Sequence, residues 1–139
     1  SVNSVIYFAL LPYFLNDPAA IKSYLGTERI ADVLYEKVMV TFHQEGGGKD
    51  HDDEFVYWFN SDTYHLDYFA YNYITDGGGA RFREGFNART INGVRFIDYV
   101  NYKPIMKSRK VGKFARWFQQ DSLEFLSRIE LDSVVVAPL

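Results

Sequence analysis

The densest cluster of reactive side chains is Glu45-Gly46-Gly47-Gly48-Lys49-Asp50-His51-Asp52-Asp53-Glu54. Asp50, Asp52, Asp53 and Glu54 offer carboxylate oxygens of the kind Ca²⁺ takes at ~2.4 Å from a flexible loop. The central Gly and the closing Glu of an EF-hand are missing. A Ca²⁺ site therefore stands as an expectation beside the plainer reading, a solvated acidic loop tip. A second triplet, Gly77-Gly78-Gly79, precedes Arg81-Phe82-Arg83-Glu84. Neither triplet is followed by Lys-Ser or Lys-Thr in a strand-to-helix setting, so phosphate cradling is not indicated. The three histidines, His43, His51 and His65, lack the short spacing of a zinc-binding helix. Ser61, Asp62 and His65 fall within one turn, and no Gly-x-Ser-x-Gly elbow is present. Glu84 and Asp98 lie on strands expected to pair and could face one another, with Arg81, Arg83 and Arg95 at hand as ion-pair partners. These residues define no reaction, and the expectation is a protein without catalytic activity.

The elements that hold these residues follow from composition and period. The chain has 139 residues, enough for one domain with a real core. Aromatic residues make up 18%, with 12 Phe and 11 Tyr against 2 Met, which favours pleated sheet over a helical bundle. A net charge of −3 argues against a nucleic-acid surface. Cysteine is absent, which removes disulfides and thiolate chemistry together. The longest apolar run, Val5 to Leu11, is far shorter than the ~20 residues of a membrane span.

Asn3 to Leu15 reads as a helix or as a strand entering a turn. Asp17 and Pro18 suggest an N-cap and first helical position, with a short helix through Ala19, Ala20 and Ile21 to Tyr24, ended by Gly26. Beyond it the period becomes 2. Glu28 to Ile30 and Leu34 to Phe42 flank Ala31-Asp32 as a hairpin, with Val38, Val40 and Phe42 on one face. Phe55 to Phe59 and Leu66 to Ile74 flank the turn residues Asn60 to Thr63. Arg81 to Thr90 and Val94 to Tyr102 pair across Asn92-Gly93, whose residues tolerate the positive φ of a type I′ turn. Ser122 to Val136 offers a final strand, with Ile129, Leu131 and Val134 to Val136 directed at the core. About seven strands with little room for crossover helices imply an antiparallel meander.

Met106 to Gln120 breaks the pattern, with Lys107, Arg109, Lys110, Lys113 and Arg116 around Phe114, Trp117 and Phe118. It is either a loop or short helix whose aromatics tuck into the domain, or a contact surface for an acidic partner or anionic headgroups. Phe114, Arg116 and Trp117 are the interface candidates.

The order of motifs resembles a family of uncharacterised Bacteroidota lipoproteins. It is carried by Leu11-Pro12-Tyr13-Phe14-Leu15-Asn16-Asp17-Pro18, Tyr24-Leu25-Gly26-Thr27-Glu28, the two glycine triplets with their flanks, Tyr57-Trp58, Asn92-Gly93-Val94-Arg95-Phe96 and Asp98-Tyr99, across most of residues 11 to 104. The resemblance implies a longer precursor with a lipoprotein signal, of which this chain is the C-terminal larger part. It implies a place in the cell envelope, periplasmic or anchored at the outer membrane. Some relatives carry an aldolase name, but that chemistry needs a barrel of ~250 residues. The family in turn is similar to lipoprotein carriers of the LolA and LolB type, which implies a curved antiparallel half-barrel with one or two short helices.

The expectation that follows is an envelope domain holding a lipid or other hydrophobic ligand on the concave face of its sheet. Val38, Val40, Phe42, Phe55, Tyr57, Phe59 and Tyr68 are the expected lining. The alternative is an accessory subunit of an envelope assembly that uses its Tyr-rich surface. No cofactor is expected apart from the Ca²⁺ already considered.

Overall fold

The computed structural model describes residues 20–42, 53–73 and 78–131. Among these residues seven strands follow one another: β1 (Ala20–Ile30), β2 (Val33–Phe42), β3 (Glu54–Asn60), β4 (Leu66–Tyr73), β5 (Gly79–Ile91), β6 (Val94–Pro104) and β7 (Leu123–Ile129). They form one antiparallel sheet in sequence order, with β1 and β7 at the two edges of the described sheet. The sheet is open rather than closed into a barrel. A 3₁₀ turn (Val111–Lys113) leads into α1 (Phe114–Gln119), the one α-helix among the described residues, between β6 and β7.

Two tight hairpins set the register. Ala31 and Asp32 both have positive φ (50° and 65°), and Ile30 pairs with Val33 across them. Asn92 (49°) and Gly93 (81°) do the same between Ile91 and Val94. This is the two-residue geometry whose twist matches that of the flanking strands. The β3–β4 turn is closed by Asn60, whose Oδ1 accepts from the Asp62 and Thr63 N–H groups at 2.8 and 3.1 Å.

The N-terminal helix expectation is corrected at Ile21 to Tyr24, which lie in β1 and pair with Thr41 to Val38 of β2. The neighbouring strand supplies a complete ladder there, which outweighs a six-residue helix with no packing partner of its own. Gly26, at φ 91°, shifts the register as a bulge instead of ending a helix. Asp17, Pro18, Ala19 and the segment Asn3 to Leu15 lie outside the described residues. The final strand ends at Ile129; Ile129 and Leu131 are half-buried, and Val134 to Val136 lie outside the described residues.

Both faces of the sheet are apolar. On the α1 side Ile30, Tyr35, Val56, Trp58, Ala70 and Phe82 pack with Val111, Phe114 and Ala115. On the other side Val40, Tyr57, Leu66, Phe69, Ile97 and Tyr99 form a second cluster. The run Tyr57-Trp58-Phe59 serves both, because successive strand residues point to opposite faces. Six residues are too few for a helix to persist in water, so α1 depends on docking. Phe118 lies 5.0 Å from Phe82 and 5.3 Å from Tyr102. Gln119 ties α1 to the first hairpin, donating from Nε2 to Arg29 O and accepting from Ala31 N–H.

Candidate functional site

The expected ligand-lining residues divide between the two faces. Val38, Val40, Phe55, Tyr57 and Phe59 share the face away from α1, with Val38 opposite Tyr57 and Val40 opposite Phe55. Val40 and Tyr57 are fully buried there. Phe42 closes β2 opposite Ala20. Tyr68 stands on the α1 side instead, as the direct partner of Trp58. The cause is a bulge at Trp58/Phe59, which pairs Phe59 with Leu66 and shifts the later pairing by one residue.

Of the expected metal ligands, Asp50 and Asp52 lie outside the described residues, as do His43 and His51. Asp53 is half-buried. Glu54 is engaged at the start of β3: Asn72 donates to its Oε1 at 2.9 Å and accepts from its N–H at 3.0 Å. Among the described residues no three His, Asp or Glu side chains converge. Ser61 donates to Glu36 at 3.0 Å, and His65 is exposed on the turn. Glu84 and Asp98 do not face one another, since Glu84 lies opposite Val100 and Asp98 opposite Phe86. The interface trio separates by burial: Phe114 is in the core, Trp117 stacks on it at 5.4 Å, and Arg116 is exposed.

A row of phenols and carboxylates crosses the α1-side face. Tyr35 donates to Asp67 at 3.0 Å, and Asp67 also receives Arg95 at 3.4 Å. Tyr102 donates to Glu84 at 3.1 Å, and Tyr68 stands edge-on to Tyr35 at 5.4 Å. Burial first, then the Glu84 and Asp67 charges, pushes the Tyr68 phenol up to about 12. Burial, then the charge and hydrogen bond of Glu84, does the same to Tyr102, to about 12. Raised phenols keep their protons in the folded state while the unfolded chain ionises near the ordinary 10.0. Their stabilisation is complete below that value and is lost as pH rises through about 12. Tyrosinate absorbance is therefore expected to rise together with unfolding on alkaline titration. Tyr68→Phe should leave the neutral melt nearly unchanged and make the alkaline loss shallower; unaltered alkaline behaviour would count against the phenol row as its cause.

The α1-side face opens into a groove of about 520 Å³ where β6 leaves the sheet. Pro104, Ile105, Met106 and Lys107 line it from the segment after β6, and Trp117, Gln120, Asp121 and Ser122 from the other side. The walls are fixed by backbone bonds, Ile105 N–H to Ser122 O at 3.1 Å and Ser122 N–H to Trp117 O at 2.9 Å. The buried Asn72 anchors the segment further, donating to Arg109 O at 3.1 Å, while Arg109 donates to Tyr73 O at 2.6 Å. A cleft of about 370 Å³ adjoins the groove through Ile105 and Lys107 and reaches Arg81 and Lys103. A third cleft of about 510 Å³, between the β3–β4 turn and the β5–β6 hairpin, holds His65, Arg89 and Arg95. The sequence reading singled out Trp117 and Lys107 but not the groove, whose walls are brought together by the turn at Gln120 and Asp121.

Fold and groove together define an open, aromatic-rich antiparallel β domain with an amphiphilic groove beside the short helix α1. The chain belongs to a family of unknown function, DUF6503, whose model matches residues 1–131. No curated protein and no solved structure matches it.

Proposed function

We propose that this chain is a non-catalytic binding domain of the cell envelope that holds a hydrophobic, lipid-like ligand. The observation that carries the reading is the groove of about 520 Å³ between the exit of β6 and α1. Its size falls within the ~300–1,000 Å³ of small-molecule sites, which are mostly apolar with a few placed polar groups. Ile105, Met106 and Trp117 supply apolar wall, and Lys107 and Asp121 each add a charged side chain to the lining. That lining suits an amphiphile with an apolar chain and a polar end. The envelope location and the likeness to lipoprotein carriers come from the sequence motifs.

Native mass spectrometry with organic extraction, on protein taken from its own envelope, should find a hydrophobic molecule at near-stoichiometric amount. In free solution Trp117→Ala should weaken binding of a fluorescent fatty acid about tenfold or more, ~1.4 kcal/mol. An empty protein with no saturable binding would overturn the reading. The exposed edge strand β7, with Phe125 at 57% exposure, favours a second reading as an accessory subunit. Arrival of the empty chain with other proteins would support that second reading.

A further inference from the structure

Charge is unevenly distributed along this acidic chain. Six of its 15 Lys and Arg residues, and none of its 18 Asp and Glu residues, lie between positions 99 and 120. Two of the six are engaged: Lys103 pairs with Glu124 at 3.0 Å, and Arg109 is bonded to Asn72 and Tyr73. Lys107, Lys110, Lys113 and Arg116 have no carboxylate partner among the described residues. All four are exposed. The same segment displays Met106 at 83% and Ile105 at 61% exposure. These apolar side chains sit on a turn fixed by backbone bonds on one side and by Asn72 and Arg109 on the other. An apolar tip held in water on a fixed turn, with Lys107 beside it and three further exposed cations following within ten residues, marks an interaction surface.

We propose that this segment docks the domain on an anionic lipid bilayer, with Ile105 and Met106 entering the headgroup boundary and Lys107, Lys110, Lys113 and Arg116 on the phosphates. Four separate cations on flexible stems suit a plane of charge, to which each contributes independently. An acidic protein partner would instead call for paired guanidinium forks, and the only arginine of the four is Arg116. Among the described residues no helix is long and apolar enough to cross a membrane. Met106 also lines the groove, so docking would turn the groove mouth towards the lipid.

The test is co-sedimentation of the full chain with phosphatidylcholine vesicles, with and without phosphatidylglycerol, and no added ligand. Wild type should bind the anionic vesicles at least ~10-fold better, with the difference shrinking as salt screens the charges. Lys110→Glu, Lys113→Glu and Arg116→Glu together should abolish the preference without altering the thermal melt or fatty-acid binding in free solution. Ile105→Ser with Met106→Ser should remove the salt-resistant part. Equal binding to both vesicle types, binding to neither, or undiminished binding by the triple variant would overturn the proposal. So would capture by a polyglutamate peptide in place of vesicles. The groove is tested with free ligand and no vesicles, so either reading can fail without the other.

Discussion

Asp98→Ala should lower the unfolding free energy by about 3–5 kcal/mol, because it removes one buried carboxylate that half-buried Arg89, the Asn87 amide and the Leu131 N–H all share. The Asp98 side chain is 4% exposed and lies 3.1 Å from Arg89. It also accepts from Asn87 at 2.9 Å and from the Leu131 N–H at 2.9 Å. Arg89 in turn donates to Leu131 O at 2.6 Å, so one carboxylate and one guanidinium tie the chain beyond β7 back onto the sheet. Burial by itself would raise the Asp98 carboxyl, but the bonds from Leu131, Asn87 and Arg89, with the Arg89 charge, hold it below the usual range. A lowered carboxyl contributes stability above its unfolded value of 3.8, lost as pH falls through the folded value. Asp98→Asn keeps the shape and removes the charge, so it should cost less and flatten the acid limb of the stability profile. Denaturant melts at neutral and acid pH measure both. A loss under ~1 kcal/mol for Asp98→Ala would show that the knot is no stronger than one ordinary hydrogen bond.

Phe82→Ala should cost a similar ~3–5 kcal/mol, through the cavity left by a fully buried ring. The ring is the hub of the α1-side core, with centroids 5.0 Å from Phe118, 5.7 Å from Trp58 and 5.8 Å from Tyr68. Since α1 has little helical stability of its own, loss of the ring beneath Phe118 should release it first. Amide exchange across Phe114–Gln119 should then quicken more than exchange in β3 or β4. Phe82→Leu retains most of the volume and should cost less than ~1.5 kcal/mol. Uniform exchange rates in the Ala variant would argue that α1 is held chiefly by Gln119 and the first hairpin.

Much of the sheet is legible because its signals are local. Asn92-Gly93 states its own turn type, and the alternation from Val38 to Phe42 assigns a face to every second residue. The β1 segment misleads because Asp17-Pro18 carries a helix-start signal, while the ladder that makes Ile21 to Tyr24 a strand comes from β2, some twenty residues further on. Tyr68 shows a different obstacle. Strand period fixes which residues of one strand share a face, but the bulge at Trp58/Phe59 decides how β4 is phased against β3, and bulges leave little trace in composition. The candidate site was half visible. The basic and aromatic residues of 106–120 stand out in the sequence, yet only packing separates the buried Phe114 from the exposed Arg116. The pairs Tyr35–Asp67 and Tyr102–Glu84 span 32 and 18 positions and depend on register alone.

The strict strand order from β1 to β7 bears on how the chain is made. Each strand pairs with the one translated just before it, so loop closure at every step stays short compared with a Greek-key return. The growing sheet can extend by one hairpin arm at a time, and the edge exposed on the ribosome is always the strand most recently released. That moving edge is the species most exposed to wrong pairing. The last described strand to take its place, β7, sets Glu124 and Arg128 on either side of the exposed Phe125 and Leu126, so charge flanks the apolar stretch left when growth of the described sheet stops.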